Sequence, residues 1–207
     1  MERISIGIVT ASGAISNPGC EHSGTGGNLS RTAKEGTGMK TSELMLDSFG
    51  RIRETVEAAL EGLDGDALAT RPNGSGNSIA WLIWHLSRVE DAQVSAAAGL
   101  DQVWTSQGFV TRFGLPLPER DTGYGHSSEE VGSVQAEAGL LLEYYDAVHR
   151  QTVGFLEGLR DEDLDRIVDR RWDPPVTLGV RLVSTLADCL QHVGQAAYVK
   201  GLGCAQQ

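Results

Sequence analysis

Four stretches of this chain repeat apolar residues every three or four positions, a period that dictates helices with one buried face. In the first, Met45, Phe49, Ile52, Val56 and Leu60 form a single stripe. The spacing predicts a helix over 42–60, capped by Thr41 or Ser42, with Glu43 near the positive end of its dipole. Gly62 and Gly65 then punctuate the chain, a short turn is expected around Ala67, and Arg71-Pro72-Asn73-Gly74 is a loop signal. A second helix is expected over 78–98, opening on Ser78 as N-cap and stopping at Gly99. Ile79, Leu82, Ile83, Leu86 and Val89 form its apolar face, widened by Trp81 and Trp84. Leu140, Leu141, Tyr144, Tyr145, Val148, Val153 and Leu156 predict a third helix over 129–159, and a fourth is expected over 178–200, ending at Gly201. No strand alternation and no internal repeat stands out.

Between the second and third helices, residues 100–128 carry no long period but hold Gly108, Gly114, Pro116, Pro118, Gly123 and Gly125. A connection of that length is unusual inside a compact domain. It can cross the full length of a bundle, which lets the helices on either side run parallel. The expectation is therefore an all-α four-helix bundle over 39–203, with a short tail at 204–207.

Residues 1–38 read differently. They are rich in Gly, Ser and Thr and hold no aromatic residue, so they bury too little apolar surface to offset their ordering entropy. They read as a disordered leader, with translation starting at Met39. A signal peptide is the poorer reading, because Glu2 offsets Arg3 and Gly, Ser and Thr interrupt the apolar stretch. The net charge is -11, and because residues 1–40 carry +1, the remainder carries -12. Nucleic acid and anionic membrane surfaces are thus expected to be repelled. No apolar run approaches the ~18–20 residues of a membrane span. Cys20, Cys189 and Cys204 are odd in number and lack zinc spacing, which fits a reducing cytoplasm.

On the fourth helix, Leu182, Leu186, Leu190, Val193 and Ala197 form an apolar arc, and Arg181, Thr185, Asp188, His192 and Gln195 form a second strip. Asp188 and His192 are four apart, so their side chains meet over one turn. Such a pair can chelate a cation, or it can be an ordinary ion pair on a solvated face; spacing alone leaves both open. His85 sits at the edge of the second helix's apolar face, where its ring nitrogens need partners: a metal or a backbone carbonyl. His126 and His149 read as solvated, Cys189 as core, and Arg170, Arg171 and Trp172 as a surface salt-bridge region near the bundle mouth.

The stretch from Asn77 to Leu86, Asn-Ser-Ile-Ala-Trp-Leu-Ile-Trp-His-Leu, resembles the second-helix signature of the DinB-like superfamily. Thr177 to Val183 and Asp188 to Leu202 resemble that superfamily's fourth helix, closest to an actinobacterial branch related to mycothiol-dependent maleylpyruvate isomerases. The resemblance implies an up-down-down-up bundle and a divalent metal, zinc or nickel, held by His85, Asp188 and His192. It departs from the commoner pattern at Asp188, one methylene shorter than Glu. It further implies activation of a low-molecular-weight thiol, mycothiol among them, for S-transfer or isomerisation, with hydrolysis a weaker alternative. In that reading Gln195, Tyr198 and Trp84 stand near ligands or substrate, and Trp104 or Trp172 lines the pocket. The competing reading is a non-catalytic ligand-binding or homodimerising bundle whose metal site has decayed.

Overall fold

A computed structural model of the chain describes residues 38–204. Residues 1–37, all of the leader but Gly38, and the last three residues lie outside the described residues. The chain forms α1 (Thr41–Leu60), α2 (Gly65–Ala69), α3 (Ile79–Ala98), α4 (Val103–Ser106), α5 (Phe109–Phe113), α6 (Ser128–Ser133), α7 (Ala138–Glu157) and α8 (Leu178–Cys204). The four long helices α1, α3, α7 and α8 make the bundle. Cross-helix bonds set their directions. Lys200 of α8 donates to the carbonyls of Ala58 and Glu61, so α1 and α8 run parallel. Arg181 meets Gln93 while Cys189 meets Leu86, so α8 runs against α3. Tyr144 donates to Asp91 and Gln151 to Ser95, so α3 and α7 run parallel. The order is up-down-down-up, and α4, α5 and α6 lie in the long crossover that it requires.

α3 begins as its sequence predicts: the Ser78 hydroxyl accepts from the Trp81 amide, and Gly99 closes the helix in the left-handed region. Every residue from Ile79 to Arg88 is buried. A helix apolar on one face only could not tolerate this; here α7 and α8 cover two sides and the crossover lies over a third. Two buried charged residues anchor that cover. Asp91 accepts from the Val103 and Trp104 amides at the start of α4, 2.9 and 2.8 Å, which satisfies orphan N–H groups of that short helix. Arg88, fully buried, donates through Nε to the Asp121 carbonyl near the crossover's far end, 3.0 Å.

Four expectations need correction. The N-cap of α1 is Lys40, whose amide is bonded by Glu43, and not Thr41 or Ser42. The third predicted helix is two: α6 ends at Ser133, and an extended step precedes α7. Val131 and Val134 bury there, and Arg71 fastens Ser128 from the loop before α3, so tertiary contacts override helix-compatible residues. A small antiparallel pair, β1 (Ile167–Asp169) with β2 (Val176–Thr177), was too short to show alternation. On α8 the buried face runs through Leu178, Leu182, Thr185, Cys189, Val193 and Ala196, leaving Leu190 and Ala197 exposed.

Candidate metal centre

The antiparallel pairing of α3 with α8 carries His85 to Asp188 and His192. One ligand atom from each lies within 4.8 Å of the others. Bonds of about 2.0–2.2 Å to a shared zinc would place any two donors within about 4.4 Å, so only a small closing movement is needed. Asp188 Oδ2 stands 3.8 Å from His85 Nε2 and 3.4 Å from His192 Nδ1, so the shorter carboxylate reaches both rings. The two imidazoles meet edge to face, centroids 4.5 Å apart.

Each ring has one nitrogen already engaged. His85 Nδ1 bonds the Thr122 carbonyl, and His192 Nδ1 bonds the Asp188 carbonyl at 2.8 Å. A carbonyl only accepts, so both Nδ1 atoms carry the proton and both Nε2 atoms keep a lone pair. Asp188 Oδ2 is buried and has no hydrogen-bond partner among the described residues. A buried carboxylate oxygen left unpaired is costly, and a cation between it and two imidazole lone pairs would remove that cost. The donor set therefore fits a divalent metal. Burial, then the neighbouring His192 ring, holds His85 below the ordinary imidazole range. Burial also pulls on His192, but the Asp188 carboxylate and carbonyl outweigh it and raise that ring.

The crossover supplies the wall. Gly123 has φ +90, and a Cβ there would lie 2.6 Å from His85 Nδ1 and 3.1 and 3.2 Å from Trp81 and Trp84. Only glycine lets the backbone approach this closely. Trp81 stacks flat on His85, centroids 4.6 Å apart and 8° between planes.

Residues 48–196 match the DinB superfamily. The chain belongs to that superfamily. The solved structure of a conserved protein from Enterococcus faecalis is 35% identical, with a TM-score of 0.73, covering 79% of this chain and 96% of that one. A comparison with curated proteins finds no match. In this DinB chain, then, the bundle and a candidate metal triad stand together, and no described helix is long and apolar enough to cross a membrane.

The other predicted residues are placed less closely. Gln195 is exposed and Tyr198 is 69% exposed, and neither has a hydrogen bond to the triad among the described residues. Trp84 is buried, stacked on His126; Trp104 is buried under the Arg88 guanidinium; Trp172 is 65% exposed. Arg171 pairs with Asp169, which also holds Arg181. His126 is not solvated: its side chain is only 4% exposed, bonded to Trp81 and Asp121. His149 is half-buried, with Nδ1 buried and unpaired among the described residues. Asp121, Thr122 and the packed role of His126 were missed. The available signal was the run Asp121-Thr122-Gly123-Tyr124-Gly125-His126, where Asp121 and His126 bracket two turn glycines.

Proposed function

We propose that this protein is a metal-dependent enzyme that activates a low-molecular-weight thiol, for transfer to an electrophile or for isomerisation. It would stand with the branch related to mycothiol-dependent maleylpyruvate isomerases and act in the cytoplasm. The observation that carries the reading is the unpaired, buried Asp188 Oδ2 beside two imidazoles that each keep an Nε2 lone pair. His85, Asp188 and His192 would hold zinc or nickel; three protein ligands leave a position for an exogenous ligand. A divalent cation bound there lowers the pKa of a thiol or water, so that a nucleophile forms at neutral pH. Asp188 is one-third exposed and His192 less, so the approach is from the α8 side. Gly123, Trp81 and the crossover close the opposite side.

The test is conjugation. Zinc- or nickel-loaded protein is offered mycothiol, cysteine or glutathione with an alkyl chloride electrophile, and release of chloride with loss of free thiol is followed. The reading expects turnover with at least one thiol, abolished in His192→Ala. No conjugation by metal-loaded protein with any of them would contradict the transfer reading.

A further inference from the structure

His85 is gripped on the side away from Asp188 by a closed circuit of contacts. Trp81 lies flat against its ring, and Trp81 Nε1–H donates to His126 Nδ1 at 3.1 Å. An indole N–H only donates, so His126 Nδ1 accepts and the proton of the neutral ring sits on Nε2. That Nε2 donates to Asp121 Oδ2 at 2.9 Å. Asp121 Oδ1 accepts from the Gly123 amide at 2.9 Å, and Thr122, held between them, presents its carbonyl to His85 Nδ1. The circuit thus returns to the ring where it began. His126 is also packed against Trp84, centroids 5.8 Å apart, and its side chain is almost wholly out of water. Burial opposes the Asp121 carboxylate, yet the Gly123 amide and the His126 ring together hold its carboxyl below the usual range.

We propose that Asp121 and His126 are positioning residues for the metal: without touching the ion, they fix the plane of His85 and the nitrogen it offers. This rests on the reading that His85, Asp188 and His192 bind a divalent cation. The circuit has a direction, because every donor and acceptor in it is assigned. A space-filling role has none, and the isosteric Asp121→Asn separates the two. If the Asn oxygen keeps the Gly123 amide, its NH2 faces His126 Nε2. The His126 proton must then move to Nδ1, where it meets Trp81 Nε1–H. If the amide is reversed, its NH2 meets the Gly123 N–H. Neither arrangement closes the circuit, although the volume is unchanged. Loss of such outer contacts typically costs 10–100-fold in metal affinity.

The experiment measures zinc affinity of the full chain by competition with a chromophoric chelator. It also reads the His85 ring nitrogens of metal-free protein by ¹⁵N NMR. Wild type should show one tautomer, protonated at Nδ1. Asp121→Asn should bind zinc about 10–100-fold more weakly and show mixed His85 tautomers. His126→Phe, which keeps a ring but no nitrogens, should weaken zinc similarly. His126→Gln, which can accept from Trp81 and donate to Asp121, should stay within a few-fold of wild type. Wild-type zinc affinity in Asp121→Asn and His126→Phe, with the His85 tautomer unchanged, would overturn the proposal. If wild type itself binds no zinc, the triad reading fails, and the tautomer decides the circuit alone: lost in Asp121→Asn it supports the positioning role, retained it overturns it.

Discussion

Gly123→Ala should damage the protein in a way that a neighbouring glycine calibrates. At φ +90 an L-residue pays roughly 1–2 kcal/mol for a left-handed backbone. The new Cβ would also lie 2.6 Å from His85 Nδ1, a separation that a carbon atom does not tolerate. The loop must move outward, and the bond from His85 Nδ1–H to the Thr122 carbonyl is its first casualty. Leaving that buried donor unpaired costs about 1–3 kcal/mol. The total is about 2–5 kcal/mol. Gly125 has φ +74 and nothing within 4 Å of its Cβ position, so Gly125→Ala should cost only the backbone part, roughly 1–2 kcal/mol. Urea unfolding followed by tryptophan fluorescence measures both, with the slope checked for constancy. The difference between the two variants isolates the contact with His85. Equal losses, within about 0.5 kcal/mol, would refute the argument that Gly123 is selected by close approach.

Other expectations follow from the same geometry. Asp91→Ala removes the acceptor for two α4 amides, Ser95 and Tyr144, and leaves Arg88 buried without its carboxylate; it should cost about 3–5 kcal/mol, read as a fall in melting temperature of roughly 6–20 °C. Burial pushes Glu90 up to about 7 from 4.5, with Asp91 beside it on α3, Tyr145 on α7 and Cys189 on α8 facing it. The folded state therefore binds this proton more tightly than the unfolded chain. Its contribution is complete below about pH 4.5 and lost as pH rises through 7, by about 3 kcal/mol in all. Denaturation midpoints across that window should show the decline, and Glu90→Gln should flatten it; an unchanged slope in the variant would assign it elsewhere.

Much of this architecture is written in the periodicities. Ser78 and Gly99 bound α3 because a hydroxyl and a left-handed glycine satisfy helix ends locally. The spacing of Asp188 and His192 put them on one turn for the same reason: it depends on the helix alone. What remained hidden depends on other segments. Val180, Val183 and Leu190 are apolar yet exposed, so α8 offers more than one apolar arc and only packing chooses between them. The break before α7 falls among residues that a helix accepts readily. The partners of His85 in the crossover lie far from it in sequence, in a segment with no period, and they become legible only once Arg88 and Asp91 pin that segment across α3. Arg88, Glu90 and Asp91 carried a weak signal of their own, as three charges close together on a helix rich in apolar residues.

The claim on which the rest depends is that His85, Asp188 and His192 hold one divalent ion. Elemental analysis of protein purified without an affinity tag, before and after zinc or nickel is added and dialysed away, tests it most directly. The account predicts about one ion per chain, retained through dialysis, lost in His192→Ala and accompanied by a rise in melting temperature that a chelator reverses. No retained metal, together with a melting temperature indifferent to zinc, nickel and chelator, would contradict it.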